Sequence, residues 1–89
     1  MNHIARATPF ASVVQLMEWK RYKEALVEAE QLLSAHPEDP GLYALIARIY
    51  ALQDQNEKAL HWAKEALARD PEQPLAWYVR VIVYYETDD

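Results

Sequence analysis

The sequence predicts an all-α protein of five helices that form a single small domain. Three observations predict this fold class. Residues recur at a fixed interval, apolar residues are spaced as on amphipathic helices, and prolines lie where helices begin and end. The chain has 89 residues, which limits it to one domain, and its 52% apolar content is sufficient for a packed core.

Identical or chemically similar residues recur 34 positions apart along the chain. A fixed interval of this length is typical of proteins in which one helical hairpin is repeated and stacked. The sequence therefore predicts an internal repeat along most of the chain. The corresponding pairs are Ala25-Leu26 with Ala59-Leu60, Ala29 with Ala63, Leu33 with Leu67, Pro37 with Pro71, Pro40 with Pro74, Tyr43 with Trp77, and Tyr50 with Tyr84.

The first two helices follow from a capping residue, from apolar spacing and from proline. Thr8-Pro9 predicts the start of a helix near residues 9–18, because Pro is favoured in the first turn and the Thr hydroxyl can accept from free amide groups. The second helix, near 21–35, ends before Pro37, which disfavours helical geometry in the preceding residue. Its apolar residues recur at steps of three and four: Tyr22, Ala25, Leu26, Ala29, Leu32 and Leu33.

The remaining three helices repeat these signals. Asp39-Pro40 predicts the start of the third helix, near 41–53, with Asp39 as its cap. The fourth helix, near 56–69, has the same apolar spacing as the second. Gln73-Pro74 predicts the start of the fifth helix, near 74–86.

The spacing and residue types resemble the tetratricopeptide repeat, a unit of two antiparallel helices joined by a turn. Tyr43 and Tyr50 match the two aromatic positions of the family, and Pro71 closes the unit. The resemblance implies a right-handed superhelical solenoid of antiparallel helix hairpins, in one domain of residues 1–89. Ala59, Ala63 and Ala66 match the positions where the two helices of a unit approach closely. The units are repeat 1 at about 6–39, repeat 2 at about 40–73, and a half repeat or terminal helix at 74–89.

The chain departs from the family pattern at the positions where small glycines are usual. Val13, Ala47 and Val81 replace the Gly of the first helix of each repeat, while Lys20 and Asp54 replace the Gly of the turn. Ala47 is small enough for close helix approach, whereas the two valines predict slightly wider spacing at the ends.

The resemblance implies a protein-interaction module or scaffold. In this family the first helices of the repeats line a concave groove that suits an extended peptide or a partner's amphipathic helix. At the matching positions this chain is mostly apolar with one central cation. The groove residues are Phe10, Val14, Met17, Ala44, Leu45, Arg48, Leu52, Tyr78, Ile82 and Tyr85.

A small secretion-type chaperone that holds export substrates is the alternative function. Small proteins with about three such repeats can hold unfolded substrates, so the family resemblance accommodates both interpretations. The two differ in specificity, because a chaperone binds many extended apolar segments and a scaffold binds one partner.

The fifth helix is apolar or aromatic around its whole circumference, and such a helix expects cover on more than one side. Three explanations follow: the chain is a fragment of a longer array, the helix self-associates, or a partner's helix completes the repeat. We expect self-association, and hence a homo-oligomer, since apolar patches bury themselves when they can. The residues predicted for self-association are Leu75, Val79, Val81, Ile82, Val83 and Tyr85.

Composition argues against catalysis and against several classes of partner. The chain has no Cys and one Gly, which excludes a thiolate nucleophile and a Gly-rich phosphate loop. His3, His36 and His61 are too far apart to predict a metal site, so no catalytic residue, metal or cofactor is expected. The net charge of −5 disfavours nucleic acid, and no segment predicts membrane insertion. We therefore expect a cytoplasmic protein that is not an enzyme.

Overall fold

The computed structural model describes residues 9–87, and regular structure in this range is entirely α-helical. The predicted all-α fold is confirmed, and each predicted helix boundary lies within one residue of the observed one. The start of the first repeat at residue 6 and the capping residue Thr8 lie outside the described residues. The helices are α1 (Pro9–Glu18), α2 (Tyr22–Ala35), α3 (Pro40–Leu52), α4 (Asn56–Arg69) and α5 (Pro74–Thr87).

In each hairpin, one residue in the left-handed conformation reverses the chain between the two helices. Lys20 has φ 62° and Asp54 has φ 61°, a conformation that Gly adopts at lower cost. The amide of Lys20 donates to the Met17 carbonyl, and that of Arg21 donates to the Leu16 carbonyl. Residues 54 and 55 form the same two bonds in the second hairpin, so both α1 and α3 end in a Schellman motif. The same turn therefore recurs after 34 residues.

Polar side chains begin the third and fifth helices where Pro predicts their starts. The Asp39 carboxylate accepts a hydrogen bond of 2.9 Å from the Gly41 amide, which satisfies one of the free donors of α3. At the repeat-equivalent position, the Gln73 side chain accepts from the Ala76 amide, also at 2.9 Å. Both starts follow directly from local sequence.

The core lies along α3, which contacts α2, α4 and α5. Fully buried alanines let the helices approach closely, and alanine recurs at the same positions in α2 and α4. Ala59, Ala63 and Ala66 of α4 pack in one cluster with Tyr43 and Ala47 of α3. A second cluster joins α1, α2 and the other side of α3. The structure extends 50 × 27 × 21 Å. The second cluster comprises Val13, Ala25, Ala29, Leu45, Ile46 and Ile49.

Tyr43 is the best-anchored aromatic residue of the second hairpin. Its hydroxyl donates to the Pro37 carbonyl at 2.8 Å, and Trp62 packs against it at 5.7 Å between ring centroids. The Arg69 guanidinium lies 3.9 Å from the ring centre and also binds Glu65, whose hydrogen bond raises the pKa of Arg69. Two side chains of α4, those of Trp62 and Arg69, thus pack against the Tyr43 ring, which is 9% exposed.

Candidate protein-interaction surfaces

The groove face is the surface of α1, α3 and α5 that carries Val14, Arg48 and Tyr78. Val14 and Arg48 occupy equivalent positions in successive repeats, and both Val14 and Tyr78 are exposed. The Arg48 guanidinium lies 5.2 Å from the centre of the Tyr78 ring, which joins α3 to α5 across this face. Among the described residues, no carboxylate lies within 4.0 Å of Arg48. Within residues 9–87 the groove face therefore presents apolar and aromatic groups around Arg48, which has no acidic partner in this range.

The structure divides the predicted groove residues into three groups. Leu45 is buried in the second core cluster, so its assignment to the groove was wrong: its side chain packs with those of α1 and α2. Val14, Tyr78 and Tyr85 are exposed. Ala44 is buried in the first core cluster, so its assignment to the groove was wrong as well. The remaining residues are partly buried: Phe10, Met17, Arg48, Leu52 and Ile82.

The end face is the outer surface of α5, formed by Trp77, Arg80, Val81, Tyr84 and Tyr85. All of these except the partly buried Arg80 are exposed. The Arg80 guanidinium lies 5.0 Å from the Trp77 ring centre and 5.6 Å from that of Tyr84. Aromatic residues and Arg are enriched where partners bind, which makes this face the second candidate surface.

Only part of the predicted self-association set lies on the end face. Val79 and Val83 are fully buried against α3 and α4, so they were wrongly assigned to an exposed surface. Leu75 and Ile82 pack against the same core and are partly buried. Val81 and Tyr85 are exposed, because the apolar circumference of α5 divides into a buried side and an outer side.

Sequence reasoning omitted Trp77, Arg80 and Tyr84 from the site residues. The repeat interval carried the signal, since their equivalents are Tyr43, Ile46 and Tyr50. In the second hairpin α4 packs over Tyr43 and Tyr50, while Ile46 is buried in the second core cluster. No helix among residues 9–87 follows α5; Trp77 and Tyr84 are exposed, and Arg80 is partly buried.

A depression of 540 Å³ lies between α4 and the end face. Its wall is apolar near the core and charged at the rim, with two cations and one carboxylate beside His61. The lining residues are Glu57, Leu60, His61, Lys64, Leu67, Arg80 and Tyr84. Nothing in this lining forms a paired acid and base, and no three His, Cys, Asp or Glu side chains of the described residues lie close enough to hold a metal ion.

A family comparison supplies the decisive observation. Residues 16–81 match the family described as tetratricopeptide repeat, and this range is well over half of the chain. The chain belongs to the tetratricopeptide repeat family. The predicted family is thereby confirmed, and the fold of this tetratricopeptide repeat chain is that of a protein-interaction module, a typically non-catalytic class.

One solved structure shows the same fold at substantial sequence similarity. A chain in the structure of Naa15/Naa10 bound to HypK-THB matches 88% of this tetratricopeptide repeat chain, with 35% identity and a TM-score of 0.75. The match spans only 12% of that longer chain. No curated protein matches the sequence. Within residues 9–87, none of the helices combines the length and apolar character needed to cross a membrane.

Proposed function

We propose that the chain binds one protein partner, through an extended peptide or an amphipathic helix, on the groove face. The observation that carries the proposal is the contact between Arg48 and Tyr78, 5.2 Å from guanidinium to ring centre. A cation stacked on an exposed aromatic ring, with apolar neighbours, combines the side-chain types that contribute most to protein interfaces.

The chemistry of the groove face defines the segment that it would bind. Phe10 and Met17 pack partly buried against the second core cluster and Val14 is exposed, so the groove positions of the first repeat offer apolar contact. Arg48 has no described carboxylate within 4.0 Å, and a partner carboxylate would gain a charge-assisted hydrogen bond there. The expected ligand therefore has apolar residues on one side and a single acidic residue near the centre.

The structural neighbour is consistent with a role in assembly. Its fold is found within a structure of Naa15/Naa10 bound to HypK-THB, that is, in a complex of several proteins. That observation supports protein binding by a chain of this shape, whereas the choice of the groove face depends on the residues described above.

Selection from a library of displayed short peptides tests this function. The expected result is a small set of related sequences with apolar residues and one carboxylate. Arg48→Glu and Tyr78→Ala are each expected to weaken the selected peptides by about tenfold or more, since both side chains lie at the centre of the face. Fluorescence anisotropy with a labelled peptide measures the affinities.

Val27→Ala is the matched control, because Val27 is an exposed apolar residue on α2, away from the groove face. Its affinity should stay within about twofold of the parent value. Equal binding by the parent, Arg48→Glu and Tyr78→Ala proteins would contradict the groove assignment. Selection of many unrelated apolar peptides with similar affinities would favour the chaperone alternative over a single partner.

A further inference from the structure

The outer surface of α5 differs from its repeat equivalent on α3 in one respect: it lacks a covering helix among the described residues. Trp77 donates from Nε1 to the Pro71 carbonyl at 2.7 Å, as Tyr43 donates to the Pro37 carbonyl at 2.8 Å. The two side chains are thus anchored alike. Tyr43 is 9% exposed beneath α4, whereas Trp77 is 46% exposed.

Position 81 shows the same contrast more strongly. Ala47 of α3 is fully buried where α4 crosses, while its equivalent on α5, Val81, is 62% exposed. Burial of an apolar side chain of this size is favourable. An interior position of the hairpin is therefore available to a helix that lies on α5 as α4 lies on α3.

The 540 Å³ depression marks the path of that helix. Leu67 and Tyr84 in its wall are the equivalents of Leu33 and Tyr50, which are 34 residues earlier. Leu33 and Tyr50 pack against the cluster that contains the alanines of α4. The depression between α4 and α5 is thus the counterpart of the space that α4 fills between α2 and α3.

Charge distinguishes the outer surface of α5 from its covered counterpart on α3. Arg80 stands where α3 has the buried Ile46, and Lys64 stands beside it on the rim. Neither cation has a carboxylate within 4.0 Å among the described residues. Glu57 is the single carboxylate in the lining, so the surface is complementary to an acidic helix.

We propose that an acidic helix of a partner protein docks along the end face and completes the third hairpin. The helix presents a row of small residues to Trp77, Val81 and Tyr84, as α4 presents its alanines to α3, and it places carboxylates near Arg80 and Lys64. Around α5, Tyr78 is about 100° from Trp77 and about 60° from Val81, so this site adjoins the groove face but is centred on a different part of the helix surface.

A second copy of the chain fits this surface less well than an acidic helix. Two α5 helices related by a two-fold axis near Val81 would run antiparallel and bring their Arg80 side chains together, and like charges at close range are unfavourable. The described end face is also bulky, because Ala76, the one alanine of α5, is buried in the core. Bulky faces require a small-residue counterpart for close packing.

The direct test uses a stapled helical peptide with the sequence of α4, Asn56–Arg69. The peptide carries the substitutions Lys58→Glu and Lys64→Glu and a fluorescent label, so that its binding is measured by fluorescence anisotropy. The staple is needed because an isolated helix of 14 residues is only marginally stable. A second peptide keeps both lysines. The full chain should bind the acidic peptide more tightly than the lysine peptide, and Arg80→Glu in the protein should reverse that order.

One variant on each face separates the end face from the groove face. Val81→Glu should weaken the acidic peptide by about tenfold or more, because it places a charge in the centre of the contact. Val14→Glu, on the part of the groove face that α1 forms, should leave the affinity within about twofold. Circular dichroism of each variant verifies that helicity is retained, which is expected because both side chains are exposed.

Three outcomes would overturn the proposal. The first is absence of saturable binding of the acidic peptide up to about 1 mM. The second is an equal loss of affinity in Val14→Glu and Val81→Glu, which would place the peptide elsewhere. The third is a dimer in sedimentation that Val81→Glu dissociates and that the peptide does not disrupt, since a second copy would then occupy the end face.

Discussion

Replacing Ala63 with leucine tests the close approach of α3 and α4 on which the fold depends. Ala63 has no exposed surface and packs in the cluster that contains Tyr43 and Ala47. A leucine side chain needs space that the crossing lacks, so the two helices would separate or side chains would leave their preferred rotamers. Such overpacking costs about 1–3 kcal/mol of the free energy of unfolding.

The predicted loss is large relative to the stability of a chain of this length. A domain of 89 residues is expected to unfold with a free energy of about 4–13 kcal/mol. For a small domain the urea m-value is about 1–2 kcal/mol per molar, so a loss of about 2 kcal/mol lowers the midpoint by about 1–2 M. Equilibrium urea unfolding, followed by the helical signal in far-ultraviolet circular dichroism, measures this shift.

Ala68→Leu is the matched control, since Ala68 lies on the same helix with an exposed side chain. Leucine and alanine have similar helix propensities, so this variant should keep its midpoint within experimental error. Equal midpoints for the two variants would refute the close approach of α3 and α4. A higher midpoint for Ala63→Leu would show unfilled space at the crossing, because each added buried methylene stabilises by about 0.8 kcal/mol.

Three further substitutions test individual contacts, each measured by urea unfolding. Asp39→Ala should cost about 1 kcal/mol through loss of the cap on the Gly41 amide, and an unchanged midpoint would argue against that cap. Tyr43→Phe should cost about 1 kcal/mol by leaving the Pro37 carbonyl without its 2.8 Å donor; stability equal to the parent would contradict that role. Lys20→Gly should stabilise the chain by up to about 1 kcal/mol, since Gly adopts φ 62° without the Cβ penalty, and a destabilised variant would exclude left-handed strain at this turn.

Local sequence accounts for the boundaries of the helices. The amide-accepting side chains of Asp39 and Gln73 and the prolines that follow them act within one turn, so their effect does not depend on the rest of the chain. The 34-residue interval also predicts tertiary contacts, because similar residues at equivalent positions are expected to make similar contacts. The turns at Lys20 and Asp54 agree with this, since both are Schellman motifs with the same hydrogen bonds.

Which side of a helix is buried depends on its neighbours, and here sequence reasoning was incomplete. The groove assignment included Leu45, which α1 and α2 bury, and the self-association assignment included Val79 and Val83, which face α3 and α4. All three belong to helices that are apolar on more than one side. Periodicity cannot orient such helices, because every rotation presents an apolar face.

The sequence by itself determined the number of helices, their ends and the repeated hairpin, since capping, proline geometry and apolar spacing act over a few residues. Only the tertiary structure decided that Arg48 stacks on Tyr78 and that Trp77, Val81 and Tyr84 stay on the surface. The physical reason is that the exposure of a side chain depends on the elements that pack against its own helix. Tyr43 and Trp77 occupy equivalent positions and donate to equivalent carbonyls. Helix α4 covers Tyr43, whereas no helix of the described residues covers the outer side of Trp77, which is exposed.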